Sequence, residues 1–139
     1  MFVHLVPNRS RVLELGSGAE QLGVALMRQR CGVEYCPSDA VPRTAPFRAA
    51  VCDLNAGHLP LSLRPPPTHI VAQGVLVYLL DRLATFRALR CAYPAAILQL
   101  SFASTSAISS VPQSEMYRHN LVDSMEAELS ALPQAQTQA

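Results

Sequence analysis

The chain of 139 residues contains no lysine, so all 11 of its basic positions outside histidine are arginine. That absence removes the ammonium group used in Schiff-base chemistry and in phosphate-binding loops. An excess of charge of either sign is missing too. The formal net charge is +1 at pH 7 and no basic run occurs, so nothing in the sequence supports a nucleic-acid partner. Cysteine is scarce and unpaired in sequence: Cys31, Cys36, Cys52 and Cys91 form no Cys-x-x-Cys motif. They read as reduced thiols in or beside core elements rather than a disulfide framework or a zinc site, and no metal centre is expected. Long apolar runs are also absent, so no stretch could span a bilayer. The opening Met1-Phe2-Val3-His4-Leu5-Val6-Pro7 has neither a charged leader nor the apolar length of a signal peptide. These absences lead to the expectation of a cytoplasmic protein without a membrane partner.

What is present is a half-apolar chain, 50% hydrophobic, long enough for one packed core. The reading is a single domain over residues 1–132 with a disordered Gln/Ala tail at 133–139. Strand and helix patterns alternate. An apolar strand from Arg11 runs into Gly16-Ser17-Gly18, and a helix follows with Leu22, Ala25, Leu26 and Gln29 on one face. Cys31-Gly32 closes that helix. Val33-Glu34-Tyr35-Cys36 reads as a second strand stopped by Pro37, and Ala49-Ala50-Val51-Cys52 as a third, reached by an irregular proline-containing connection. Pro65-Pro66-Pro67 leads stiffly into a buried strand, His69 to Gln73. Asp81 caps a helix carrying Leu83, Phe86 and Leu89 with Leu79 on one side until Pro94, and Ala95 to Leu100 makes a fifth strand. A serine-rich loop at 101–114 then precedes a last helix with Leu121, Met125, Leu129 and Leu132 in register.

Alternation with short crossovers implies an α/β, Rossmann-like three-layer sandwich around a mostly parallel five-stranded sheet of order 3-2-1-4-5. In such folds the ligand sits over the carboxyl ends of the strands where the order reverses. Glu14 near the end of the first strand, Asp39 beyond the second and Asp53 beyond the third bring three carboxylates to one rim. A carboxylate after the second strand can accept both hydroxyls of a ribose, and one after the third can accept an adenine amino hydrogen. One beside the glycine turn can neutralise a cation. Gly16 and Gly18 let the backbone pass close to a ligand.

In these residues the sequence resembles the class I S-adenosylmethionine-dependent methyltransferases over roughly residues 11–100. Val12-Leu13-Glu14-Leu15-Gly16-Ser17-Gly18 is similar to the family's acidic-x-Gly-x-Gly signature and Asp39 to its ribose-binding acid. Cys52-Asp53-Leu54 is similar to the adenine-contacting segment, and Ala72 to Leu79 to the fourth-strand motif. The resemblance implies S-adenosylmethionine as cofactor. It places the methionine moiety on Glu14, Gly16 and Gly18, the ribose on Asp39, and the adenine on Asp53 and Leu54. Gln73 approaches the cofactor and an unidentified methyl acceptor from the fourth strand.

The sequence departs from the family at two places. Glu20 stands where a third glycine is common, and the chain ends without the usual C-terminal antiparallel hairpin. That ending leaves the fifth strand as an open edge for a homodimer or a partner protein to cover. No catalytic residue stands out, because displacement at a sulfonium carbon depends chiefly on positioning. Tyr117 and His119 are polar groups that could approach the acceptor, although a lone His carries little signal; Tyr78 reads first as packing in the helix after the fourth strand. A non-catalytic interaction or regulatory module is the alternative reading. An NAD-dependent dehydrogenase ranks below it, because its fingerprint calls for glycine where the chain has Gln21.

Overall fold

A computed structural model describes residues 2–42 and 46–101 of the chain. The serine-rich loop beyond Ser101, the last helix, Tyr117, His119, the tail and the hairpin question all lie outside those residues. Strands β1 (Arg11–Leu15), β2 (Glu34–Asp39), β3 (Ala50–Val51), β4 (His69–Gln73) and β5 (Ile97–Ser101) form one sheet in the order β3-β2-β1-β4-β5. Every neighbouring pair is parallel. The order expected from the sequence is therefore the order found, and it reverses between β1 and β4.

Strand alternation divides the apolar residues between the two faces of the sheet. Val12 and Val71 join Leu22, Ala25 and Leu26 of helix α1 (Gln21–Gln29), together with Val3, Val6 and Val33. Leu13, Leu15, Ile70 and Ala72 face the other way, against Leu76, Leu79, Tyr93, Ala96 and the Phe86 and Leu89 of helix α2 (Arg82–Ala92). Leu15 and Leu26 are fully buried, and each such side chain contributes about 1.5–3 kcal/mol by leaving water. Helix α1 lies close to β2 because Gly23 has no side chain; a Cβ there would meet Tyr35 Cε1 at 2.2 Å. Helix α2 starts where its cap predicts, with the Asp81 side chain accepting from the Ala84 amide at 2.9 Å.

Five details differ from the sequence reading. Strand β2 does not stop at Pro37 but continues to Asp39. Asp39 directs its carbonyl to the Cys52 amide at 2.8 Å, so by alternation Pro37 also faces the β3 side. Strand β3 pairs only with Ser38 and Asp39, so the N–H that Pro37 lacks would have pointed ahead of the first residue of β3. The third strand is shorter than expected and the fifth begins two residues later, because Ala96 still bonds back to the Tyr93 carbonyl in a turn. The buried face of α2 is Arg82, Thr85, Phe86 and Leu89, while Leu79 precedes the helix and Leu83 is half-buried. Of the cysteines only Cys52 is buried; Cys36 is half-buried, and Cys31 and Cys91 are exposed, the first in the turn after α1 and the second on the outer side of α2. Among the described residues no helix is long and apolar enough to cross a membrane.

Candidate functional site

The turn after β1 is built from left-handed residues at alternate positions, with φ of 62° at Gly16, 54° at Gly18 and 57° at Glu20. Gly16 is required twice over. Its φ is unfavourable for other residues, and a Cβ there would meet Val75 Cγ2 at 2.6 Å. The turn is tied to β2 by its own amides: Ser17 N–H donates to the Ser38 carbonyl at 2.9 Å, and Gly18 N–H to Asp39 Oδ2 at 2.7 Å. The other carboxylate oxygen of Asp39 accepts from the Val41 amide at 2.9 Å. Asp39 thus stands at the end of β2 with its orientation fixed from two sides.

Beyond β3, Asp53 caps a 3-10 turn (Leu54–Ala56), its Oδ1 accepting from the Asn55 amide at 3.0 Å and the Ala56 amide at 3.2 Å. The chain leaving β4 passes through Gly74 and Val75 into a second 3-10 turn, Leu76–Tyr78. Between these segments, over the carboxyl ends of the strands, lies a cavity of about 330 Å³. Gly16, Asp39 and Ala40 line one part of it, Cys52, Asp53, Leu54 and Asn55 a second, and Gln73, Gly74, Val75, Tyr78 and Leu79 a third. Among the described residues its lining carries two carboxylates and no arginine or histidine. Burial pushes the Cys52 thiol up, which disfavours the thiolate a nucleophile needs.

Of the residues singled out in the sequence, Gly16, Asp39, Asp53, Leu54 and Gln73 meet in this lining. Glu14 and Gly18 stand behind it. The Gly18 amide reaches the site through Asp39, and Glu14 lies under α1, only 4% exposed, with its Oε2 accepting from the Tyr35 hydroxyl. Burial pushes the Glu14 carboxyl up to about 7, against the pull of the Tyr35 hydrogen bond and with smaller contributions from the charges of Glu20 and Asp39. Tyr35 in turn is raised by burial and by Glu14. Glu20, fully buried, explains the missing third glycine: its Oε2 accepts from the Phe47 amide at 2.8 Å and latches the β2–β3 connection to the turn. The Phe47 ring meets Tyr35 edge-on at 4.9 Å.

Tyr78 does not pack inside a helix as read from the sequence. It sits in the 3-10 turn, 51% exposed, at the mouth of the cavity. Asn55 went unread altogether. Its side-chain bonds reach residues 23 and 25 positions away, a separation that leaves no local sequence signal.

No family model matches the sequence, and a search of curated proteins returns no match. Among solved structures the chain is similar to one in the complex "between the Haloferax volcanii Trm112 methyltransferase activator and the putative methyltransferase". The TM-score is 0.50 at 20% identity, over 60% of this chain and 40% of that one. The chain has a methyltransferase-like fold. It spans less than half of the Haloferax volcanii chain, and at this identity the likeness concerns the fold alone.

Proposed function

We propose that the cavity binds S-adenosylmethionine and that the domain serves methyl transfer to an acceptor. The observation that carries this reading is the charge of the lining: Asp39 and Asp53 face one cavity together, with no basic side chain beside them among the described residues. A dinucleotide cofactor would bring a pyrophosphate, which wants cations or unspent amides at the glycine turn. Here the Ser17 and Gly18 amides are already given to Ser38 and Asp39. A nucleoside bearing a sulfonium instead wants acceptors and negative charge.

Each lining residue then has a task. The Asp39 oxygens, each accepting one backbone N–H, keep a second lone-pair direction for a ribose hydroxyl. Asp53 uses Oδ1 for its cap, which leaves Oδ2 for an adenine amino hydrogen, with Leu54 and Val75 supplying apolar surface. Gln73, on the last residue of β4, brings an amide to the sulfonium side. Glu14 and Gly18 hold the turn from behind. When bound, the cofactor supplies an electrophilic methyl carbon that passes to the acceptor nucleophile while the carbon–sulfur electron pair returns to sulfur. The chain's part is to align that carbon and exclude water, which needs no dedicated base for a good nucleophile.

The expected cover for β5 belongs to this reading as well. Among the described residues β5 is an edge of the sheet and Ile97 is 39% exposed, and the Haloferax volcanii chain is solved with a methyltransferase activator. We extend a protein partner, or a second copy, to this chain on those grounds.

Calorimetric titration tests the cofactor. S-adenosylmethionine is expected to bind saturably and NAD not to bind. Asp39→Ala is expected to weaken the complex by about 1.5–3 kcal/mol, the worth of charge-assisted hydrogen bonds. A folded protein that takes up no S-adenosylmethionine overturns the assignment. Saturable binding with no transfer to any acceptor, alone or with a partner, would favour a binding module over an enzyme.

A further inference from the structure

Two walls of the cavity are joined by one side chain. The first wall is the corner after β3, carrying Asp53, Leu54 and Asn55; the second is the β4–α2 loop, carrying Val75, Tyr78 and Leu79. Asn55 Nδ2 donates to the Tyr78 carbonyl at 2.9 Å, and Asn55 Oδ1 accepts from the Leu80 amide at 2.8 Å. The amide copies the edge of a β-strand, offering a donor and an acceptor to alternate backbone groups of the facing loop. Asp53 steadies it in turn through the Asn55 amide.

A second cavity, about 310 Å³, lies on the far side of this bridge between the 3-10 turn and α2, lined by Leu59, Leu80 and Ala84 among others. Leu54 and Asn55 line both cavities, so the bridge is the partition between them. At that point Leu80 is 85% exposed and Tyr78 half-exposed, whereas Leu76 and Leu79 of the same loop are buried.

We propose that Asn55 is a positioning residue, whose amide fixes the β4–α2 loop against the β3 corner and so sets the width of the cavity mouth between Leu54 on one side and Tyr78 and Leu79 on the other. The ligand half of this assignment rests on the cofactor reading above. With the bridge cut, the two cavities join, and a bound group loses one wall.

Hydrogen exchange on the unliganded protein tests the bridge directly. In Asn55→Ala the Leu80 amide is expected to exchange about tenfold faster, while amides of β1 and α1 keep their rates. Titration with S-adenosylhomocysteine tests the consequence, a Kd raised about tenfold at a temperature where the variant is fully folded. Asn55→Asp separates positioning from packing. It conserves volume and the acceptor toward Leu80, but turns an oxygen onto the Tyr78 carbonyl, so it is expected to bind at least as poorly as Asn55→Ala. A filler of space would give the reverse order. Unchanged exchange at Leu80 in Asn55→Ala, or variants that bind as the wild type does, overturns the proposal. A folded wild-type protein that takes up no S-adenosylhomocysteine overturns the cofactor reading and the ligand half with it, and the exchange rates still decide the bridge.

Discussion

A carboxyl held under a helix and out of water keeps its proton longer than one in solvent, even where a tyrosine hydroxyl donates to it and favours its ionised form. Glu14 is raised from 4.5 to about 7, with desolvation the leading cause. Between those values the folded chain holds a proton that the unfolded chain has released, so stability from this group is complete below pH 4.5 and is lost as pH rises through 7. The full loss is about 3 kcal/mol at the conversion of about 1.4 kcal/mol per pKa unit. Glu14→Gln keeps an acceptor for the Tyr35 hydroxyl and cannot ionise. The variant is therefore expected to match the wild type near pH 4.5 and to exceed it by about 2–3 kcal/mol at pH 8, measured by urea denaturation at both. Parallel pH slopes for the two proteins would trace the dependence to another group. On the proposed cofactor reading, a Glu14 half-protonated near neutrality leaves the sulfonium to the carboxyl groups of Asp39 and Asp53 in the cavity lining.

At the scale of elements, the turn between β1 and α1 separates two uses of glycine that the motif alone cannot distinguish. Gly16 meets Val75 as well as needing a positive φ, whereas Gly18 needs only the φ, with nothing within 4 Å of an added Cβ. Gly16→Ala is expected to cost about 2–4 kcal/mol, backbone strain plus overpacking, and Gly18→Ala about 1–2 kcal/mol, strain alone. Thermal denaturation of both variants checks the difference, and equal losses would remove the Val75 contact from the account. The turn, the parallel strands and the cap of α2 were legible because each has a local pattern: an apolar run, a Gly-x-Gly, an Asp before a periodic face. The ends of β2 and β5 were not, since a proline reads as a stop until the side facing its missing N–H is known. Tyr78 lies in the apolar run of Gly74 to Leu79, which looks like packing until a 3-10 turn swings the ring to the cavity mouth. Alternation sets Glu14 opposite Leu13 and Leu15, but that Gly23 would let α1 close over Tyr35 depends on a contact between elements.

At the scale of the whole fold, the described residues form two apolar layers divided by one sheet, with the cavity at the sheet's carboxyl edge where its order reverses. Leu26 belongs to the layer under α1 and Leu89 to the layer under α2, both essentially fully buried, and among the described residues no side chain is shared between the two clusters. Coupling between them has to pass through the strands themselves. Leu26→Val and Leu89→Val are each expected to cost about 1 kcal/mol, and the double variant the sum within about 0.5 kcal/mol. On the proposed cofactor reading a saturating ligand adds a separate contribution: S-adenosylmethionine at a hundredfold over its Kd is expected to raise stability by about 3 kcal/mol by mass action alone. Because the cavity touches neither leucine, that increment is expected to be the same in the wild type, both single variants and the double variant, read from urea melts with and without ligand. An increment that shrinks in only one leucine variant would mean that the site draws its rigidity from that layer. Joint loss in the double variant beyond the sum would mean that the sheet transmits strain between its faces.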